Sequence, residues 1–428
     1  MQQIKGVVRV ARERGLTGVR QEVARELSRR YLSTSLWEKY SDEARVLVSW
    51  LDFSPAELEA SHAACAAESE LVDVKSITWF LPDFDNAFYG GIHTILRFAN
   101  YFSLAHGVKH QFVIVGNLPA DEARQKIGAA FPALAGARFV RVSSHHDFDQ
   151  LEATDAGICT LWSTAYFLLR FNKVRRKCYF LQDYESLFYP AGSTSAQVEA
   201  TYRFGFLGIC NTPTLANIYT QQYGGHAYGF MPAVDGAVFH ARDRRPHEHT
   251  PPGKVFFYGR PGNPRNGFEL GGAALAHLKE RLKDRVEIVC AGAKWNPAEY
   301  GLGGTLKNLG LLKYEETGAL YRSCDVGLVM MFTRHPSYLP FELMSCGAAV
   351  VSNFNASTTW FLKDNENCLL SEASASCLAD AMERLLTDIA LRQRVAQGGV
   401  QHMLLHNREW NAEAELVWQK IVRPQNPA

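Results

Sequence analysis

The chain carries almost no net charge: 45 Lys and Arg stand against 44 Asp and Glu over 428 residues, a formal +1. General polyanion binding draws on a large basic surface, so this balance excludes a nucleic-acid partner and leaves room only for local phosphate sites. Paired cysteines are lacking too. The nine present (Cys65, Cys159, Cys178, Cys210, Cys290, Cys324, Cys346, Cys368 and Cys377) are odd in number, scattered, and mostly set in apolar runs. None has C-x-x-C spacing, which argues against a structural zinc site and points to buried free thiols of a reducing compartment. No apolar run is long enough to span a bilayer, and the N-terminus has no apolar signal-peptide core, so the expected location is the cytoplasm. Neither a Walker-type lysine motif nor a G-x-S-x-G nucleophile elbow occurs. His247-Glu248-His249 is the one metal-like cluster, and its proline-flanked polar setting reads as a linker.

What is present is apolar residues, 47% of the chain, in a length that favours two domains. After a helical N-terminal extension over 1–75, apolar runs at Ser76–Leu81, Gln111–Val115, Arg138–Val142, Gly157–Leu161, Lys177–Leu181 and Leu207–Asn211 alternate with helix-like segments. Such alternation implies an α/β domain with a parallel sheet, here 76–240. A stretch at 241–253 reads as a linker. A second series, Lys254–Tyr258, Val286–Cys290, Leu306–Leu309, Val326–Met331 and Ala348–Ser352, builds a second domain over 254–405, closed by helices near Ser374–Leu386 and Leu391–Leu405. Residues 406–428 form a terminal helix. Within 1–30, eight Lys/Arg stand against three Glu, hence +5, interleaved with Ile, Val and Leu. This pattern suits either an amphipathic helix on an anionic membrane face or a helix packed on the protein.

The chemistry concentrates where strands hand over to helices. Arg334-His335-Pro336-Ser337-Tyr338-Leu339-Pro340-Phe341-Glu342 follows the run Val326–Met331 and opens a short helix that ends at Gly347. A helix start beyond a strand offers free backbone N–H groups to a diphosphate, and a carboxylate one turn later can grip ribose hydroxyls. Tyr258-Gly259-Arg260-Pro261-Gly262-Asn263-Pro264-Arg265-Asn266-Gly267 is a second strand–glycine turn–helix unit, carrying arginines whose forks suit phosphate oxygens. Gln182-Asp183-Tyr184-Glu185 lies at the carboxyl edge of a strand, where α/β sheets place ligands. Asp183 and Glu185 are candidates for holding an acceptor or taking its proton, and Tyr184 for an aromatic sugar platform; an acidic cap on the next segment is the plainer reading.

These segments resemble the GT-B glycosyltransferases of family 4, whose second domain carries a G-R-x5-K-G turn and an E-x7-E element ending in an E-A-M-x-C-G-like helix; the likeness covers most of 76–422. The His335-Pro336-Ser337-Tyr338 run, the Arg260-Pro261-Gly262 turn and Gln182-Asp183-Tyr184-Glu185 are closest to bacterial rhamnosyltransferases of surface glycan synthesis. The chain departs from the family pattern twice: Asn266 stands where the lysine is expected, with Arg265 beside it, and Arg334 where the first glutamate is expected.

The resemblance implies two Rossmann-like domains facing a cleft, with the terminal helix returning to the first domain. It implies sugar transfer from a nucleoside diphosphate, dTDP-rhamnose, to a hydroxyl of a glycan or lipid-linked glycan at the inner face of the membrane, with retention and without a metal or other cofactor. Arg260 and Arg265, with backbone around Gly259 and Ser337, Tyr338 and Leu339, are expected at the diphosphate, and Glu342 at the ribose. Gly310 and Leu312 are expected near the base, and Gly90 and Gly91 at a helix start that leaves room for phosphate or sugar. Asp183, Glu185 and Arg260 are the catalytic candidates; Asp183, Tyr184 and Glu185 are expected to serve the acceptor. The alternatives are a UDP- or GDP-hexose donor and a non-catalytic glycan-binding scaffold on the same fold.

Overall fold

The computed structural model describes residues 44–66, 73–88, 90–244 and 252–422. The basic segment 1–30 and His247-Glu248-His249 lie outside them.

Two all-parallel sheets organise the chain. The first has seven strands in the order β3-β2-β1-β4-β5-β6-β7, with β1 at Ser76–Pro82, β2 at Lys109–Val115, β3 at Arg138–Val142, β4 at Thr154–Cys159, β5 at Val174–Leu181, β6 at Leu207–Asn211 and β7 at Ala227–Phe230. The second has six strands in the order β10-β9-β8-β11-β12-β13, with β8 at Gly253–Tyr258, β9 at Val286–Ala291, β10 at Lys307–Asn308, β11 at Val326–Val329, β12 at Ala349–Asn353 and β13 at Cys368–Ser371. Both are doubly wound, the strand order turning back between β1 and β4 and between β8 and β11. A crevice opens at such a reversal beyond the strand ends, because the flanking connections leave in opposite directions.

The continuous apolar runs follow from burial on both faces. In β1, Ile77, Trp79 and Leu81 join Phe98 and Phe102 of the Gly90–His106 helix in one core, while Phe80 points oppositely toward Trp162 and Tyr166. Strand β8 divides likewise, Val255 and Phe257 on one face and Phe256 on the other. Among the described residues seven cysteines are buried free thiols, and burial pushes up the pKa of several; Cys377 is exposed. The Trp410–Val422 helix packs on the first domain: Ala414, Val417, Trp418 and Ile421 complete its core, and Trp418 stacks on His106 with ring centroids 4.5 Å apart.

Some boundaries differ from the sequence reading. The strand expected at Gly157–Leu161 is Thr154–Cys159, because the Thr164 hydroxyl accepts from the Thr160 and Leu161 amides and turns the chain into the Trp162–Arg170 helix. Edge strands β7 and β13, four residues each, escaped the pattern because so short a run carries no clear period.

Candidate active site between the two sheets

The residues beyond β1, β8 and β11 meet around a cavity of about 230 Å³. From the first domain come Gly90, His93, Thr94 and Arg97, at i, i+3, i+4 and i+7 on one face of the Gly90–His106 helix. Gly90 has φ +72°, a left-handed start that favours glycine, and a Cβ on Gly91 would come within 2.9 Å of the Gln182 side chain.

From the second domain, β8 ends at Tyr258, and Gly259 then passes so close to its neighbours that a Cβ would lie 2.9 Å from Trp295 and 3.0 Å from the Cys290 sulfur. This close passage brings Arg260 to the cavity wall. Its guanidinium lies 5.9 Å from the Tyr258 ring centroid, donates to the Tyr258 hydroxyl at 3.3 Å, and has no carboxylate partner among the described residues. Leu311 and Leu312 line the cavity beyond β10; Gly310, φ +74°, shapes that loop while its carbonyl accepts from the Gly292 amide at 2.9 Å.

Beyond β11, Ser337, Tyr338, Leu339 and Glu342 all border the cavity. Ser337 is one of few non-glycine residues with positive φ, +65°, and its amide donates to His335 Nδ1 at 3.0 Å. That amide is therefore taken, whereas those of Tyr338 and Leu339 make no hydrogen bond to described residues. His335 is buried and neutral, burial lowering its pKa to about 3. Glu342 is half-buried, and its carboxylate forms no hydrogen bond within the described residues; burial pushes its pKa up to about 8, opposed by the Arg97 guanidinium.

Sequence reasoning missed Arg97, Tyr258 and Trp410 as residues of this cavity. Arg97 donates to the Tyr314 hydroxyl at 3.4 Å, lies 3.7 Å from the Asp235 carboxylate, and stands 5.3 Å from the Trp410 ring centroid. Its seven-residue spacing from Gly90 was the available signal. His93, which the sequence alone makes an ordinary helix residue, also faces the cavity; its Nδ1 donates to the Ala87 carbonyl at 2.9 Å, and burial lowers its pKa to about 4.

The remaining candidates fall outside this cavity. Asp183 is buried and clasps the second domain: the Thr333 hydroxyl donates to it at 3.0 Å, and Arg265 lies 3.7 Å away. Burial raises its pKa to about 6, against the pull of Arg265 and Thr333. Arg265 also covers the Phe188 ring at 4.6 Å, so its charge is committed to the domain interface rather than to the cavity. Glu185, only 2% exposed, accepts from the Trp162 amide at 2.7 Å and the Tyr179 hydroxyl at 2.8 Å. It thus caps the Trp162–Arg170 helix inside the first domain, away from the cavity. Tyr184 borders a separate cavity with Arg334.

Comparisons with known proteins fit this geometry. Residues 253–383 match the family model for the WsaF C-terminal domain. The O-antigen biosynthesis protein RfbC of Myxococcus xanthus is 44% identical over 383 residues, 88% of this chain; the chain spans 29% of that relative's length. Among solved structures, sucrose-phosphate synthase from Thermosynechococcus elongatus superposes with TM-score 0.62 at 16% identity, over 81% of this chain and 98% of that one. Anabaena Alr3699/HepE, in complex with UDP and glucose, gives 0.61 at 14% over 82% and 99%. WaaG, a glycosyltransferase involved in lipopolysaccharide biosynthesis, gives 0.57 at 13% over 81% and 99%. With two doubly wound parallel sheets facing across a cleft, the chain has the GT-B fold.

Proposed function

We propose that this protein is a glycosyltransferase of surface-glycan assembly that takes its sugar from a nucleoside diphosphate donor. The observation that carries this reading is the interdomain cavity, bordered by Arg260, an arginine without a carboxylate partner among the described residues, and by Glu342, a carboxylate without a hydrogen bond among them. A nucleoside diphosphate supplies both missing partners: phosphate oxygens for the guanidinium fork and ribose hydroxyls for the carboxylate. In this assignment Leu311 and Leu312 border the base. The Tyr338 and Leu339 amides and the open approach at Gly90 serve the diphosphate and sugar. Fixed positive charge at Arg260 stabilises the diphosphate as it departs. Asp183 acts by clasping Thr333 and Arg265, holding the two halves of the site together.

RfbC's role in O-antigen biosynthesis and WaaG's in lipopolysaccharide biosynthesis favour a bacterial surface glycan, free or lipid-linked, as acceptor. The donor we assign is dTDP-rhamnose, with retention and no metal, on the resemblance of the Arg260 and His335–Tyr338 segments. No helix among the described residues is long and apolar enough to cross a membrane. Attachment to the inner membrane face falls to residues 1–30.

The test is calorimetry with dTDP and UDP on the parent and on Arg260→Ala. Loss of a charge-assisted contact, roughly 1.5–3 kcal/mol, should weaken binding about tenfold or more at unchanged fold. Equal affinities before and after substitution would remove Arg260 from the phosphate site.

A further inference from the structure

On the far side of the interdomain clasp lies a second cavity, of about 300 Å³, bordered by Tyr184, Thr214 and Gln222 of the first domain and Arg334 and Ser357 of the second. Two short segments form the wall between the cavities. In one, Gln182 meets Gly91 beside the nucleotide cavity, Asp183 is clasped by Thr333, and Tyr184 turns to the second cavity. In the other, Arg334 faces the second cavity while Ser337 and Tyr338 face the first. A ligand here would therefore lie one clasp away from the donor site.

The lining mixes apolar side chains, Ile218 and Ala356, with polar ones and carries one open charge. Arg334 is exposed, donates to the Ser357 hydroxyl at 3.4 Å, and has no carboxylate partner among the described residues. The neighbouring acids are occupied: Asp183 by Thr333 and Arg265, and Glu199 by the Tyr184 hydroxyl. With its hydroxyl so engaged, Tyr184 offers the cavity its ring, a surface on which a sugar face can pack. Thr214 and Gln222 add groups that pair with sugar hydroxyls.

We infer that this second cavity holds a charged sugar of the acceptor glycan, a saccharide bearing a carboxylate or a phosphate that Arg334 engages, while the reacting sugar of the same glycan reaches past the clasp to the donor. The assignment rests on the proposed transferase function and names its acceptor class.

The experiment titrates the full chain with D-glucuronic acid, glucose 1-phosphate and D-glucose by ligand-observed NMR, and separately with dTDP by calorimetry. The parent should bind at least one charged sugar ten times more tightly than glucose, and added salt should erode that preference because the arginine is exposed. Whichever charged sugar binds more tightly identifies the uronic-acid or the phosphorylated source. Arg334→Gln should abolish the preference, Arg334→Lys should keep part of it, and dTDP affinity should stay within twofold in both. Equal binding of charged and neutral sugars by the parent, or a preference that survives Arg334→Gln, would overturn the inference. An Arg334-dependent preference in a chain that fails to bind dTDP would support this site while sinking the transferase reading.

Discussion

Glu185 separates a supporting carboxylate from a reacting one. Replacing it by alanine leaves two buried donors, the Trp162 amide and the Tyr179 hydroxyl, without their acceptor. Each orphaned group costs about 1–3 kcal/mol, so the variant should lose roughly 2–6 kcal/mol before any cavity is counted. That is a large share of the ~5–15 kcal/mol that holds a typical domain. Glutamine retains an acceptor of the same shape. Burial pushes the Glu185 carboxyl from 4.5 up to about 8. A carboxyl whose folded pKa is raised stabilises fully below its unfolded pKa, and that contribution is lost as pH rises toward the folded pKa. The parent should therefore shed about 1.4 kcal/mol per pH unit from this group between about pH 4.5 and 8. Glu185→Gln should match the parent near pH 4.5, pull ahead as pH rises, and hold a constant lead above pH 8. Asp183 and Glu342 are raised as well, so the diagnostic is the difference between the two curves rather than the parent's slope. Urea midpoints by intrinsic fluorescence across this range supply it, with sugar transfer measured alongside. A glutamine variant that tracks the parent at every pH, or that stays folded yet stops transferring, would refute the supporting role.

Three further outcomes follow from the same geometry. Arg97→Ala removes the first domain's cation from the interdomain cavity and, on the proposed function, should weaken dTDP or UDP binding on the order of tenfold, since charged contacts are worth about 1.5–3 kcal/mol; unchanged calorimetric affinity would count against it. Glu342→Gln should raise the nucleotide-free midpoint more at pH 9 than at pH 5, because a carboxyl raised to about 8 has given up its stabilisation by then, while nucleotide binding weakens. If stability and affinity move together, the carboxylate is not held for a ligand. Gly259→Ala places a methyl 2.9 Å from Trp295 and 3.0 Å from the Cys290 sulfur, an overpacking expected to cost ~1–3 kcal/mol in urea unfolding, and an unmoved midpoint would contradict the close passage.

The architecture was legible because parallel strands buried on both faces read as continuous apolar runs, and those at Arg138–Val142 and Leu207–Asn211 coincide with observed strands. The segments around Arg260 and Glu342 were legible because a strand, a turn and a helix start lie together in sequence. Arg97 was not, for its significance depends on a helix of one domain reaching a cavity made by the other. Asp183 and Glu185 show a different limit. They stand two apart at the same strand edge, yet one turns outward to the second domain and the other inward under a helix start. Residue type and spacing are alike for both; the neighbours that accept or donate the hydrogen bonds come from distant sequence.

Those outward contacts also bear on how the cleft works. Each of the four apolar clusters draws its strands from one sheet only, so among the described residues no strand of one domain joins the core of the other across the cleft, although Val234 and Phe239, beyond β7, pack into a cluster of the second sheet. What crosses it is polar or aromatic: Thr333 to Asp183, Arg97 to Tyr314, Asn211 to Tyr338, and Arg265 over Phe188. Net hydrogen bonds contribute about 0.5–1.5 kcal/mol apiece and charged ones about 1.5–3, so together they hold the halves by only a few kcal/mol. A ligand that engages Arg260 on one side and the Gly90–Arg97 face on the other adds a comparable amount to the closed form alone. The strands' cores in the two domains are thereby insulated from opening, while closure is weak enough for a ligand bound between them to govern it.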